Sequence, residues 1–280
     1  MKTKNRLSDT PLSYRIFTIV VLILLAIFFI FPLYWIITGS FKDNKTIIAA
    51  DPQWFPLNPT LANYVKLFDR PALQWLLNIV VICVGAMVLT CLTASLAGYA
   101  LAKKRFYGRA FLFGMITCAM ALPKQVIVIP LLQEMSAIGL HDTLWAVILP
   151  TVGWPFGVFL MKQFSETIPG EILEAARVDG ASEVRTFCSV VFPMIKPGIG
   201  ALAIFTFVNT WNDYFMQLIM LNSEAKWTLP LGIARMQGEM SNDFGLIMAG
   251  ATLAAVPIVA IFIAFQRYFT QGISMGAVKG

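Results

Sequence analysis

The chain has 280 residues, 58% of them hydrophobic and only 13% charged, with a mean hydropathy of +0.73. Those values exclude an ordinary water-soluble domain, and the 21 Lys and Arg against 15 Asp and Glu leave a net charge of +6. The four cysteines (Cys83, Cys91, Cys118, Cys188) form no CxxC pair and three lie in apolar runs, so they read as small packing residues and no metal site or disulfide is expected. His141 is the single histidine and sits in a loop, too little for a His-based triad. No catalytic residue, no cofactor held by this chain and no nucleic-acid partner is expected.

Residues 1–15 are polar and basic (Lys2, Lys4, Arg6, Arg15). From Ile16 to Ile37 there is no charge, and as a helix this stretch would be about 33 Å long, enough to cross a bilayer. A cleaved signal peptide would show small residues after its apolar core, whereas Phe28 to Trp35 is bulky, so an uncleaved first span over 16–37 is predicted. Residues 39–73 are punctuated by proline and carry Trp54-Phe55. A linker is the plain reading, but the aromatics favour an ordered loop lying on the membrane. The second span, 73–101, is rich in small residues (Gly85, Ala86, Thr90, Ala94, Ser95, Gly98) that let helices approach closely, which predicts a central position. Lys103, Lys104, Arg105 and Arg109 follow it. Further spans are predicted over 110–133 (with Pro123, Lys124 and Pro130), 143–161 (with Pro150, Gly153 and Pro155), 198–221 (with Asn209, Asn212 and Asp213) and 244–265 (with Pro257). The fold class is therefore an all-α integral membrane protein of about six transmembrane helices in a single domain, 1–280.

Between the fourth and fifth spans, 164–197 cannot sit in lipid, because it carries Glu166, Glu171, Glu174, Arg177, Asp179, Glu183 and Arg185. Glu171, Glu174 and Arg177 fall on one face of a short helix after Pro169-Gly170, and Asp179-Gly180 ends it with turn chemistry. A second short helix aligns Val184, Phe187, Cys188 and Val191 in an apolar stripe that is expected to end at Pro193. Such a helix–turn–helix either lies on its own bundle or in the headgroups, or docks a partner protein. With the N-terminus inside, the inner segments hold fourteen Lys and Arg and the outer ones six, which predicts an N-in, C-in arrangement with 164–197 in the cytoplasm.

Glu174-Ala175-Ala176, then Gly180 six residues after the glutamate, then Val190, Phe192 and Pro193, resembles the cytoplasmic EAA loop of ABC importer permeases, whose pattern is EAA, three residues, Gly, nine residues and Ile-x-Leu-Pro. The fuller run EAARVDGAS is similar to the carbohydrate-uptake branch, of the maltose and multiple-sugar type. Leu122-Pro123 with Ile129-Pro130-Leu131, Trp211-Asn212-Asp213, and Gly276-Ala277-Val278-Lys279-Gly280 resemble the third span, fifth span and C-terminal tail of that family. The first external loop resembles the family's too, with the Asn63-Tyr64 pair after a Pro-rich stretch. Two departures, Met216-Gln217 where the family often has Trp-Pro and Leu132 where it often has Tyr, fall where substrate would pass.

The resemblance implies that Glu174, Ala175, Ala176, Asp179, Gly180 and Pro193 couple the chain to an ATPase. It implies a second permease subunit, two ATP-binding cassette subunits carrying ATP-Mg, an external substrate-binding protein, and residence in the bacterial inner membrane. The chain itself has no Gly-Lys pair and hence no phosphate loop, so any ATP hydrolysis belongs to a partner.

Asp213 is the one carboxylate inside a predicted span, where a charge costs about 2.5–3.5 kcal/mol on insertion scales. It either pairs within the bundle or lines a polar pathway with Asn209 and Asn212, which share its face at helical spacing, Phe205 and Met216 extending the stripe. Lys124 has three readings: a partner for Asp213, a cavity-lining residue, or a snorkelling side chain. The rival function, a self-sufficient secondary transporter or channel, calls for more intramembrane ionisable residues or an inverted repeat, and leaves the docking helices without a purpose.

Overall fold

A computed structural model describes residues 11–239 and 243–277, and every regular element among them is helical. The chain divides into two compact units, Met1–Arg70 with Met236–Leu253, and Pro71–Arg235 with Ala254–Gly280.

The first unit opens with α1 (Leu12–Ser40), apolar on every side and buried only at Gly39 and Ser40, as suits a helix facing lipid or another subunit. The loop after it is ordered by side chains aimed at backbone. Asn63 is buried and its Nδ2 donates to the carbonyls of Ser40 (2.8 Å) and Lys42 (2.7 Å), satisfying acceptors that the end of α1 leaves open. The Tyr64 hydroxyl lies 2.9 Å from Ser40 Oγ. Asp43 caps the short α2 (Asn44–Ile47) by accepting from Thr46 N, and α3 (Ala62–Phe68) follows. Trp54 packs on Phe31 and Trp35, and the Tyr34 hydroxyl donates to the Trp54 carbonyl at 2.6 Å, so the aromatics fold the loop back on α1. Lys42 is buried, its ammonium bonded to the Gln53 carbonyl and 4.7 Å from the centre of the Trp35 ring.

The second unit is built around α4 (Ala72–Lys103). In chain order follow α5 (Arg109–Ala119), α6 (Lys124–Ala137), α7 (Trp145–Val152), α8 (Phe156–Glu166), α9 (Gly170–Val178), α10 (Glu183–Thr186), a π-helical turn (Phe187–Val191), α11 (Phe192–Asn212) and α12 (Tyr214–Met220), and then α13 (Leu229–Glu239) and α14 (Phe244–Ala277), within which the boundaries between the units fall. Helices α7, α8 and α11 pack directly on α4, and small residues permit it. A β-carbon on Gly98 would lie 2.6 Å from backbone atoms of Met161 and Lys162, and one on Gly198 would lie 2.5 Å from the Phe164 ring. Trp75 and Asn78 of α4 anchor the stretch before α13. Trp75 Nε1 donates to Glu224 O (3.0 Å), and Asn78 Nδ2 to Ala225 O (3.0 Å) and Trp227 O (2.7 Å).

Among the described residues, four helices are long and apolar enough to span a bilayer: Leu12–Ser40, Ala72–Lys103, the run Glu183–Asn212, and Phe244–Ile263. Two bent pairs bring the number to six if each is one span. Over the third span expected at 110–133 the chain is broken, because α5 and α6 meet at 106°. Met120, Ala121 and Leu122 close α5 with tight bonds to Thr117, Cys118 and Ala119, and Pro123, which has no N–H to continue the ladder, starts α6 from an extended conformation.

The fifth span is displaced as well. Its helix does not end at Pro193 and restart at 198; it runs unbroken from Glu183 through Pro193 and Pro197, then stops at Asn212. The π turn just before α11 has already shifted the hydrogen-bond ladder, so Pro193 falls in a first turn that can do without its N–H. The expected stripe is only half formed: Phe187 and Val191 are buried, while Val184 and Cys188 are exposed. Cys118 is exposed too, so the reading of the cysteines as packing residues suits Cys83 and not these two. Helix α14 continues to Ala277, and Val278, Lys279 and Gly280 of the expected tail lie outside the described residues.

Candidate functional site

Two places in the second unit carry the chemistry. The first is the segment around α9. Leu173 and Ala176 are its buried residues and set its inner face, and Leu173 joins a core cluster with Tyr99, Met161, Ile168 and Phe187. The outer face presents Glu171, Glu174, Ala175 and Arg177, with Val178 88% exposed. The turn after it is a complete Schellman motif: Gly180 N donates to Arg177 O and Ala181 N to Ala176 O, both at 3.0 Å. Gly180 has φ +75°, the left-handed region where a β-carbon is disfavoured. Asp179 is the helix C-cap, and Ser182 caps α10 by accepting from Arg185 N at 3.3 Å. Glu183 pairs with Lys104 and lies 3.6 Å from Arg177. Pro193 is exposed at the start of α11. The structure thus brings Glu174, Ala175, Asp179 and Gly180 onto one open surface, while Ala176 packs inward and Pro193 stands apart on the next helix.

The second place lies where helices break. Lys124 is the first residue of α6, a helix end whose dipole is unfavourable to a cation. Its Nζ lies 2.9 Å from Asp213 Oδ2 and 5.0 Å from the centre of the Trp154 ring. Asp213 sits at the second break, with φ −81° and ψ 65°, outside the helical region. It ends α11 and caps α12, its Oδ1 accepting from Met216 N at 3.2 Å. Of the readings of Lys124, the geometry displays both pairing with Asp213 and a place on the wall of a cavity, and the pair ties the α5–α6 break to the α11–α12 break. Gln217 completes the second break by donating to Thr210 O at 3.0 Å.

A helical face shared by Asn209, Asn212 and Asp213 is therefore not formed, because the helix ends before Asp213 and Met216 is buried where Phe205 is exposed. Asn209 and Asn212 are exposed and donate to their own helix, to Phe205 O (2.8 Å) and Val208 O (2.9 Å). Beside Lys124 and Asn209 is a small cavity of about 70 Å³, also lined by Thr151, Trp154 and the Phe156–Phe205 pair. Thr90 and Thr210 line it too, and their buried hydroxyls have no partner within the described residues. Asn212 does not reach this cavity.

Sequence reasoning missed Trp154, Thr90 and Thr210 in this cavity, and treated Lys103 and Lys104 only as charges that orient the chain. A tryptophan between Gly153 and Pro155, in the middle of a predicted span, was the available signal. Nothing in the pattern singled out the two threonines from other small residues.

The comparisons with known proteins agree with this architecture. A solved structure described as a bacterial ABC transporter involved in the import of the acidic polysaccharide alginate shares the fold, with a TM-score of 0.79 and 23% identity, covering 93% of this chain and 99% of that one. The arabinooligosaccharides transport system permease protein of Halalkalibacterium halodurans is 35% identical over 90% of this chain and 91% of its own. The sulfoquinovosyl glycerol transport system permease protein of Agrobacterium fabrum is 32% identical over 90% of this chain and 89% of its own. Residues 92–275 match the family described as binding-protein-dependent transport system inner membrane component. By that match, and by relatives aligned along nearly its whole length, this multi-pass membrane protein belongs to the family of inner membrane components of binding-protein-dependent transport systems.

Proposed function

We propose that this chain forms half of the translocation pathway of an ATP-driven importer for a sugar or oligosaccharide in the bacterial inner membrane. The sugar class is supported by the relatives, which carry arabinooligosaccharides and sulfoquinovosyl glycerol in their names. In this reading a second, homologous permease completes the pathway, an external binding protein delivers the substrate, and two ATP-binding cassette subunits bind ATP-Mg. The N- and C-termini lie in the cytoplasm, as the Lys and Arg asymmetry favours.

The observation that carries the reading is the open surface of α9. A surface with Val178 and Ala175 exposed beside Glu174 and Asp179, held by a rigid Schellman turn, is shaped to seat in a groove of another protein. Glu174, Ala175, Ala176, Asp179, Gly180 and Pro193 form or support that contact. Lys124, Asn209, Asn212 and Asp213 belong to the polar side of the pathway, where hydroxyl-rich substrates find hydrogen-bonding groups beside aromatic rings.

The test is to co-express the chain with its partner permease and ATPase subunits, purify the complex, and measure ATP hydrolysis with candidate binding proteins and their sugars. ATPase that co-purifies and is stimulated by one loaded binding protein is expected. Uptake by the permease pair alone, with no ATPase attached, would overturn the assignment.

A further inference from the structure

Two adjacent lysines at the end of α4 hold both ends of the docking helix. Lys103 Nζ donates to the carbonyls of Glu166 (3.0 Å) and Ile168 (2.5 Å), which close α8 just before α9 begins at Gly170. Lys104 Nζ donates to the carboxylate of Glu183, the first residue of α10, just beyond the Gly180 turn. The backbone explains how neighbours reach opposite ends: Lys103 is the last helical residue, while Lys104 is extended, with φ −96° and ψ 146°. Tyr99, one turn earlier, fills the space between, its ring 5.6 Å from Phe187 and 5.1 Å from Lys104 Nζ.

Capping the carbonyl end of α8 requires one cation, so it accounts for Lys103 and leaves Lys104 unexplained. Stability does not explain Lys104 either, since Glu183 is 61% exposed and ion pairs of that kind contribute little. What the two lysines share is that both tie the flanks of α9 to α4, the helix on which α7, α8 and α11 pack.

We propose that Lys103 and Lys104 are positioning residues that clasp α9 to α4, so that a displacement of the docking helix is passed to the centre of the bundle through α4 as well as along α11. The inference rests on α9 being the ATPase contact, and the test separates the two ideas. The assembled importer is prepared in nanodiscs with the exposed thiols removed (Cys118→Ala, Cys188→Ala) and a reporter thiol introduced by Thr93→Cys, an exposed position on α4. Maleimide labelling of the reporter is followed with and without ATP and vanadate.

In the parent complex the labelling rate changes with nucleotide. With Lys103→Met and Lys104→Met together, the ATPase still co-purifies and hydrolyses ATP, but the nucleotide-driven change shrinks about tenfold, within the usual range for coupling between sites. Lys104→Glu alone reduces the change, and Lys104→Glu with Glu183→Lys restores it, which a merely structural role would not do. A reporter that ignores nucleotide in the parent, a full response in the double variant, or a charge swap without rescue overturns the clasp. Loss of the ATPase from the lysine variants also overturns it, because the lysines would then shape the contact instead of transmitting from it. If the double variant does not accumulate, Lys104→Glu and its swap decide alone. Absence of ATPase from the parent complex would instead refute the docking role of α9.

Discussion

Gly180→Val is the sharpest perturbation of the docking segment, because its cost can be assigned to one cause. No atom lies within 4 Å of where a β-carbon on Gly180 would be, so no clash is created. The cost is conformational: at φ +75° a residue with a β-carbon carries about 1–2 kcal/mol of strain. If the turn relaxes to avoid it, the bonds from Gly180 N and Ala181 N to α9 are lost. Strain of that size shifts the balance between the formed and the frayed turn by about five- to thirtyfold. The assay is the amount of ATPase retained on the purified complex as its concentration is lowered, beside the amount of inserted permease. Gly180→Val is expected to insert normally and to lose ATPase within that range, Gly180→Ala less, and Gly180→Asn least, since Asn tolerates left-handed backbone. Equal loss with Asn and Val would refute the conformational argument, and normal retention with Val would remove the turn from the contact.

Other outcomes follow from the same geometry. Gly98→Ala drives a β-carbon into the backbone of Met161 and Lys162 and should lower the melting temperature of the purified protein by the equivalent of about 1–3 kcal/mol, whereas Gly114→Ala, with open space around it, should not. Asp213→Leu removes a helix cap, a loss of about 0.5–2 kcal/mol, and leaves Lys124 without its carboxylate; adding Lys124→Met should recover folded protein but not transport, while Asp213→Asn keeps the cap and part of the transport. Recovery of full transport by the double variant would make the pair structural only. For Asp142, burial pushes its carboxyl up, but hydrogen bonds from Ser223 and from the Asn222 backbone outweigh this and hold it below the usual range. Its stabilisation is therefore complete above the unfolded-state value of about 3.9 and is lost as the pH falls through the lower folded-state value, so the stability gap between wild type and Asp142→Asn should narrow on acidification; a gap that widens would reverse the sign. Cysteines at Asn222 and Ser182 should label from the outside and the inside respectively, and outside labelling at Ser182 would invert the chain.

The long apolar helices were legible because their lengths and lack of charge have one physical solution in lipid. The turn at Asp179-Gly180 was legible for a local reason: helix closure there needs left-handed backbone, and glycine supplies it. Breaks were harder to read, because a proline or an aspartate does not itself say whether a helix bends, continues or stops. Pro193 and Pro197 are carried within a continuous helix, Pro123 starts a new one, and Asp213 ends one helix and caps the next. The prolines were decided by the hydrogen-bond ladder just before each, and Asp213 also has a partner distant in sequence, Lys124. The short α13 in the segment expected to be an outer loop, and the grip of Lys103 on two carbonyls, also depend on tertiary packing that no periodicity encodes.

The run from Glu183 to Asn212 has a mechanical consequence. Thirty residues of helix form a rod of roughly 45 Å, with the docking turn at one end and the Asp213 break at the other. Its stiffness is uneven, because the π turn, Pro193 and Pro197 all weaken the ladder near the docking end, while the stretch from Gly198 onward is regular. Compliance is thus concentrated at the base and rigidity at the tip. A rod of this kind amplifies: a tilt of about 5° at its base sweeps its far end through roughly 4 Å over that length. That exceeds the 2.9 Å between Lys124 and Asp213, so a small rotation at the base of the rod is enough to remake the contact where they meet.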